Sequence, residues 1–186
     1  MTKKIIITGG LGYIGTELCK IYSGVSWHHK IIVIDNKFVS ERVNQIRNWN
    51  MEFIHGDILD KELVKRVFKD ADIVHHLAGV TQVPRTKSEA TDAMDDKIKL
   101  VGVEGTQNIL DIINDKCKII FPSTHVVYEG IEKVKNDIRE EEETKPVLSY
   151  STSKAINEKQ LKDSGKNYVI LRLGSVYGYS TDTARI

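Results

Sequence analysis

The sequence predicts an α/β protein with a doubly wound parallel sheet. Short apolar runs rich in β-branched residues alternate with longer helical patterns along 186 residues, and a glycine-rich turn follows the first run. The runs are nearly continuous in apolar character, as in strands that are covered on both faces. Strand–helix alternation favours right-handed crossovers between parallel strands, so helices are expected on both faces of one open sheet.

Six strands and five helices are predicted from these patterns. The strands cover residues 3–8, 30–35, 51–55, 72–77, 117–123 and 167–173. The helices cover about residues 12–24, 40–48, 60–69, 89–115 and 149–164. Asp60 is expected to cap the third helix and Ser149 the fifth, because short oxygen-bearing side chains accept hydrogen bonds from the first free amides of a helix.

Composition argues against several classes of function. With 27 basic and 26 acidic residues the net charge is +1, so no basic field points to nucleic acid or to an anionic membrane. No apolar run approaches a membrane span, and a cytoplasmic location is expected. Cys19 and Cys117 are expected to be reduced, buried and inert. His75 and His76 are expected to pack in the core, and no metal site is predicted.

The polar segment 132–148, "EKVKNDIREEEETKPVL", is predicted to be a loop. It lies between the fifth strand and the fifth helix, at the carboxyl end of the sheet. Ligands of open α/β sheets bind at that end. The segment is therefore either a solvated loop or a loop that covers a site.

The stretch "TGGLGYIG" at 8–15 follows the first strand and opens the first helix. Its glycines permit a tight turn and a close approach of backbone to a pyrophosphate, with the positive end of a helix beneath it. Asp35 ends the second strand, which follows that helix. A carboxylate there accepts both adenosine ribose hydroxyls and repels a 2′-phosphate, which predicts NAD rather than NADP as the cofactor.

Two further strand ends carry candidate cofactor contacts. Asp57, in "GDILD" (56–60), is either an acceptor for the adenine amino group or a turn residue. The small residues of "HLAG" (76–79) would let the backbone approach a cofactor.

The stretch "YSTSK" places Tyr150 and Lys154 on one face of the fifth helix, four residues apart. A free tyrosine has a pKa of about 10, and a nearby ammonium lowers that value. The phenolate could then remove a proton from a substrate hydroxyl. Ser123 and Thr124 offer hydroxyl donors that could hold the substrate oxygen.

Together these motifs resemble the extended short-chain dehydrogenase/reductase family, in its NAD-dependent sugar epimerase/dehydratase branch. The resemblance runs over about residues 4–180 and rests on the following stretches in the family's order: "TGGLGYIG", "VIDN", "GDILD", "HHLAG", "VEGTQNIL", "PSTHVVYE", "YSTSK" and "LRLGSVYG". It implies an NAD(P)-binding Rossmann fold that uses NAD.

The resemblance implies a role for each matching residue. The catalytic residues would be Thr124, Tyr150 and Lys154, with Ser175 and Thr124 at the substrate. The cofactor would be bound by Gly9, Gly12, Tyr13, Ile14, Gly15, Asp35, Asn36, Asp57, Ile58, Leu77, Ala78, Gly79, Ser123, Tyr150 and Lys154.

Departures from the family's pattern bear on the substrate and the reaction. Sugar dehydratases place Asp-Glu directly after the catalytic Ser/Thr, and decarboxylases keep that Glu. His125 and Val126 stand there in this chain, and valine cannot abstract a proton, so both chemistries are disfavoured. Gly102 replaces an Asn near the cofactor, and Ser175 replaces an Asn that commonly helps bind a nucleotide sugar.

The implied activity is sugar 4-epimerisation, through a transient keto-sugar, of a substrate that is most simply a nucleotide sugar. The alternatives are an NAD(P)-dependent sugar or alcohol reductase or dehydrogenase, and a non-catalytic NAD-binding module. A homodimer is expected by resemblance. Family members are generally longer than this chain, so residues 1–178 are expected to form the cofactor domain and 179–186 the start of a missing substrate lobe.

Overall fold

The computed structural model of the protein describes residues 1–80, 86–132 and 135–178. Six strands form one sheet in the order β3-β2-β1-β4-β5-β6, and all neighbouring strands are parallel. The strands are β1 Lys4–Thr8, β2 Lys30–Asp35, β3 Glu52–His55, β4 Ile73–His76, β5 Lys118–Thr124 and β6 Asn167–Leu173. The predicted doubly wound parallel sheet is thereby confirmed. The domain boundary expected after residue 178 falls where the described residues end, and 179–186 lie outside them.

Helices cover both faces of the sheet. They are α1 Tyr13–Ser23, α2 Ser40–Asn48, α3 Lys61–Phe68, α4 Asp92–Lys99, α5 Gly105–Ile112 and α6 Ser149–Asp163. One core joins Ile5 and Val33 to residues of α1 and α2. The other joins Ile6, Ile32 and Phe121 to residues of α3, α5 and α6. Because successive strand residues face opposite sides, the continuous apolar runs fill both cores at once.

The predicted single helix over 89–115 is wrong in detail, since π-helical backbone at Leu100–Glu104 separates α4 from α5. A Cβ atom on Gly102 would lie 2.2 Å from the Ser153 hydroxyl oxygen of α6. The Gly102 carbonyl accepts hydrogen bonds from Thr106 at 2.6 Å and from Asn157 at 3.0 Å. The π-helical turn therefore lies at a close contact with α6. Such a contact joins residues far apart in the chain, so periodicity along one helix does not reveal it.

The described part of the polar segment 132–148 contains neither helix nor strand, as predicted for a loop. Its backbone is anchored at Lys145, which donates to the Val127 carbonyl and accepts from the Gly130 amide, each at 2.8 Å. The segment thus runs beside the turn that follows β5.

Cys19 and Cys117 are buried free thiols, as expected. Burial raises the pKa of the Cys19 thiol to about 12 and that of Cys117 to about 11, which leaves both thiols protonated and unreactive near neutral pH. Within the described residues, no helix has the length and apolar character that a membrane crossing needs.

Candidate active site

A cleft of about 660 Å³ opens at the carboxyl ends of the strands. The strand order reverses between β1 and β4, and the loops that leave these strands diverge there and open a crevice. Every predicted site residue lines this cleft except Ser175, whose neighbours Gly174 and Val176 do line it. The sequence motifs therefore converge, although they are spread along most of the chain.

The cleft has two ends, which we call the glycine-turn end and the tyrosine end. The glycine-turn end contains Gly9, Gly12, Gly15, Asp35, Asn36 and Asp57. The tyrosine end contains Thr124, Tyr150 and Lys154.

Gly9 and Gly15 are required by the packing of the turn. Gly9 has a φ of 66°, and a Cβ atom there would lie 2.8 Å from the Ala78 amide nitrogen. A Cβ on Gly15 would lie 2.3 Å from the Gly9 carbonyl oxygen. Helix α1 begins after Gly12 without a side-chain cap, so its first backbone amides face the cleft as donors for an anion.

The Asp35 carboxylate is held by backbone amides on both of its oxygens. It accepts from the Leu11 amide at 3.0 Å and from the Lys37 amide at 2.9 Å. Each carboxylate oxygen keeps a second lone pair. The carboxylate is therefore oriented with acceptor capacity left for ligand hydroxyls, and its charge disfavours a phosphate at the same place.

Asp57 is a turn residue in the structure, and its role at the adenine stays a prediction. Its carboxylate accepts from the Leu59 amide two residues on, at 3.0 Å, which is a turn-forming contact. It also accepts from the Asn36 side-chain amide at 3.1 Å and lines the cleft. Asp60 caps α3 by accepting from the Leu63 amide at 3.0 Å, as predicted.

The imidazole of His76 is buried in a chain of hydrogen bonds below the cleft. Thr8 Oγ1 accepts from the Ala78 amide at 3.0 Å and lies 2.9 Å from His76 Nδ1. His76 Nε2 lies 3.0 Å from Thr106 Oγ1, which itself donates to Gly102. These bonds are all satisfied when Nε2 carries the proton and Nδ1 accepts. Burial, with a contribution from the charge of Lys154, lowers the pKa of His76 to about 3.

His76 is thus a neutral packing residue, as predicted, and its network fixes the end of β4. His75, the other histidine of this pair, is also buried, and its Nε2 lies 2.7 Å from the Tyr22 hydroxyl. The network supports the backbone of 77–79, where that backbone lines the cleft.

Lys154 is anchored beneath the tyrosine end of the cleft. Its ammonium donates to the Pro122 carbonyl at 2.9 Å and lies 4.3 Å above the ring centroid of Phe121. The same nitrogen is 5.9 Å from the ring centroid of Tyr150. Burial lowers the pKa of Lys154 to about 8, against the opposing charge of Glu158. Below that pH Lys154 is a cation close to the phenol ring of Tyr150.

Thr124 ends β5 and begins the 3₁₀ turn His125–Tyr128. Its hydroxyl oxygen accepts from the Val126 amide at 3.3 Å, which leaves its own proton to donate. Ser123 also lines the cleft, but its hydroxyl donates to Glu158 at 2.6 Å. Of the two hydroxyls that the sequence offered, the one with a proton available to the cleft is Thr124.

An ion pair between Glu158 and Arg172, which the sequence did not predict, holds α6 against β6 below the tyrosine end. Arg172 of β6 donates to the two carboxylate oxygens of Glu158 at 2.9 and 2.6 Å. It also donates to the Tyr128 hydroxyl and, at 2.8 Å, to the Glu140 carbonyl. Side-chain exposure is 3% for Glu158 and 12% for Arg172. The pair joins α6 to β6, and the separation of its partners along the chain hides it from local pattern analysis.

Helix α6 does not begin as predicted. Ser149 is its first residue rather than its cap, and Leu148 stands at the cap position without a side-chain acceptor. The Val147 and Leu148 amides, just before the helix, donate to the carboxylate of Glu129. Sequence analysis missed this residue because the whole polar segment separates it from the helix.

The other lining residues were given no role from the sequence, and they lie at strand ends, on α4 and in the π-helical turn. They are Ile34, Lys37, Gly56, Val80, Lys97, Val101, Pro122, Leu173, Gly174 and Val176. They add an apolar wall and two cations to the cleft.

The strand order, the glycine turn and the position of the cleft are typical of dinucleotide-binding α/β proteins. The family model described as NAD dependent epimerase/dehydratase family matches residues 5–186. This chain therefore belongs to the NAD dependent epimerase/dehydratase family.

The chain is similar in sequence to several curated epimerases. CDP-paratose 2-epimerase of Salmonella typhi is 33% identical, over 94% of this chain and 58% of the relative. A putative UDP-glucose 4-epimerase of Methanocaldococcus jannaschii is 31% identical, over 96% of this chain and 57% of the relative. The chain thus spans little more than half the length of these relatives.

Solved structures agree in fold. A UDP-N-acetylglucosamine 4-epimerase from Methanobrevibacter ruminantium, in complex with UDP-N-acetylmuramic acid, superposes with a TM-score of 0.79 at 28% identity, over 98% of this chain and 58% of that one. UDP-glucuronic acid 4-epimerase from Bacillus cereus, in complex with NAD, gives 0.79 at 26% identity, over 97% of this chain and 60% of that one.

Proposed function

We propose that the protein takes part in NAD-dependent epimerisation at C4 of a nucleotide sugar. The observation that carries the proposal is the shared cleft. It has backbone amides and the Asp35 carboxylate at its glycine-turn end, and Thr124, Tyr150 and Lys154 at its tyrosine end. Membership of the family and the epimerase relatives support this choice of reaction.

The residues of the glycine-turn end fit NAD. A glycine cradle that a Cβ atom would fill lies at the uncapped start of α1, where the pyrophosphate would bind. Asp35 would accept from the adenosine ribose, and Asp57 would lie at the adenine. When bound, NAD supplies a reversible hydride acceptor at the sugar carbon.

The tyrosine end can handle the proton that accompanies this redox step. Tyr150, as the phenolate, would remove the proton of the sugar hydroxyl and later return it. The ammonium of Lys154 would favour the phenolate through its charge, and it would also bind the nicotinamide ribose. Thr124 would donate a hydrogen bond to the same sugar oxygen, because its proton is available to the cleft.

Dehydration and decarboxylation are less well supported. The positions after Thr124 carry His125 and Val126. The ring of His125 lies 3.1 Å from the Leu173 carbonyl, and the Val126 amide is bonded to Thr124. Neither residue offers a carboxylate that could remove a second proton from the sugar. Epimerisation needs only the hydroxyl, the tyrosine, the lysine and the cofactor.

The test is an assay of the chain with NAD and a panel of nucleotide sugars, analysed by chromatography for the C4 epimer. We expect conversion without accumulation of NADH, and loss of conversion in Tyr150→Phe with NAD binding kept. Tyr168→Phe is the matched control, because Tyr168 is exposed on β6.

Two outcomes would replace the proposal. Stoichiometric NADH formation, or consumption of added NADH, would identify a dehydrogenase or reductase. Tight NAD binding with no turnover of any sugar would identify a non-catalytic NAD-binding module. The homodimer and the cytoplasmic location remain predictions, and light scattering would test the first.

A further inference from the structure

We propose that Glu129 is a positioning residue that fixes the Tyr150-bearing start of α6 relative to Thr124. The inference rests on the proposed function, since it assigns a support for the same catalytic hydroxyls.

The first observation is the missing cap of α6. Leu148 precedes the helix and has no side-chain acceptor. One oxygen of Glu129, Oε1, accepts from the Val147 amide at 2.8 Å, from the Leu148 amide at 2.7 Å and from the Ser151 hydroxyl. These donors lie on both sides of Tyr150 in the chain. A single oxygen therefore holds the backbone before the tyrosine and the side chain after it.

The second observation is the other attachment of Glu129. Its amide donates to the Val126 carbonyl at 3.1 Å and closes the 3₁₀ turn that begins at Thr124. Glu129 is therefore joined to Thr124 by one tight turn of backbone, and its side chain holds residues on either side of Tyr150. The distance between the two catalytic hydroxyls depends on this residue.

The next residue makes the connection rigid. The Gly130 amide donates to the Lys145 carbonyl at 2.8 Å, and a Cβ atom on Gly130 would lie 2.6 Å from that oxygen. The chain before α6 is thus drawn against the chain after β5, which leaves Glu129 little freedom to turn away. The residue lies at the surface, so its contribution comes from these bonds rather than from burial.

The negative charge of Glu129 is also favourable at this position. A carboxylate at the start of α6 interacts favourably with the positive end of the helix dipole. Burial alone would raise the pKa of Glu129, but the hydrogen bonds from Ser151, Leu148 and Val147 outweigh it and lower the pKa. The side chain is therefore ionised at neutral pH.

The experiment compares Glu129→Ala and Glu129→Gln with Glu132→Ala, which removes an exposed carboxylate three residues further on. We expect kcat to fall about tenfold or more in Glu129→Ala, with KM and NAD affinity within about twofold of the parent, because displaced reacting groups slow the chemical step. Glutamine keeps an oxygen at the Oε1 position, so Glu129→Gln should restore most of kcat. Glu132→Ala should match the parent.

Amide hydrogen exchange gives a readout that does not need activity. Exchange at Val147 and Leu148 should accelerate in Glu129→Ala and stay near the parent's rate in Glu129→Gln. If the parent shows no epimerase activity, the proposed function fails, and exchange still decides whether Glu129 holds the helix. Unchanged exchange in Glu129→Ala, an unchanged kcat, or equal losses of kcat and NAD affinity would each overturn the inference.

Discussion

The two ends of the cleft are held in place by different kinds of contact. At the glycine-turn end, Asp35 is oriented by the backbone amides of Leu11 and Lys37. At the tyrosine end, α6 is held by the carboxylate of Glu129 and, from behind, by the Glu158–Arg172 pair. Backbone amides are present whatever the sequence, whereas side-chain partners must be encoded at distant positions. The tyrosine end therefore depends on more residues, and single substitutions should damage it more.

The largest expected effect is at the Glu158–Arg172 pair. Arg172→Leu leaves the buried carboxylate of Glu158 without its guanidinium, and we expect the free energy of unfolding to fall by about 3–5 kcal/mol. Urea denaturation followed by circular dichroism measures the change.

The double variant Glu158→Leu/Arg172→Leu should recover most of this loss, because no uncompensated charge stays buried. Lys159→Ala is the control: its ion pair with Asp163 is exposed, so a change below about 0.5 kcal/mol is expected. If Arg172→Leu lowered the free energy of unfolding by less than about 1 kcal/mol, the tyrosine end would not depend on the Glu158–Arg172 pair.

The next effect is the pH dependence that Lys154 adds to stability. Its pKa is about 8 in the folded chain, against 10.5 for an unperturbed lysine, so the unfolded chain binds more protons between these values. Stability therefore rises with pH across this window, by up to about 3 kcal/mol. Denaturation of the parent and of Lys154→Met at about pH 7.5 and about pH 10 measures the difference. If the free energy of unfolding changed equally with pH in the parent and in Lys154→Met, the prediction would be wrong.

At the glycine-turn end we expect an effect on binding with little effect on stability. Asp35→Ala removes the charged acceptors that we propose for the ribose hydroxyls, so NAD affinity should fall about 10- to 100-fold and the preference over NADP should shrink. Calorimetric titration with each cofactor measures both. Asp70→Ala, an exposed carboxylate after α3, is the control. An unchanged NAD affinity in Asp35→Ala would remove the proposed ribose contact.

The smallest effect is expected at a local helix cap. Asp60→Ala removes the acceptor of the Leu63 amide, which should cost about 1 kcal/mol of unfolding free energy. Asp60→Ser should restore most of it in the same denaturation assay. If Asp60→Ala lowered the free energy of unfolding as much as Arg172→Leu, a local helix cap would matter as much to stability as the long-range ion pair.

What the sequence predicts well is whatever is encoded locally. The apolar run at 167–173 predicts a strand, and β6 is observed at Asn167–Leu173, because β-branched and aromatic residues favour extended backbone even at the sheet edge, where no residue of β6 is fully buried. The glycine turn and Asp35 are recognisable for a similar reason, since each belongs to a short pattern at a strand end.

What the sequence does not predict depends on contacts between distant segments. The π-helical turn at Leu100–Glu104 lies where Gly102 meets Ser153 of another helix. Ser149 is the first residue of α6 rather than its cap, and the amides just before the helix are bound by the distant Glu129. The partner of Arg172 is equally invisible, because no periodicity links a strand residue to one buried carboxylate on a helix.

The strand order has a consequence for how the protein is made. Synthesis starts at the amino terminus, and amino-terminal segments are the first that can fold. Strands β1 to β3, which carry the glycine-turn end, are complete at His55, whereas β6 begins at Asn167. The residues of the glycine-turn end therefore emerge from the ribosome well before those of the tyrosine end. Glu158 stays without its guanidinium until Arg172 has emerged and β6 has docked beside β5.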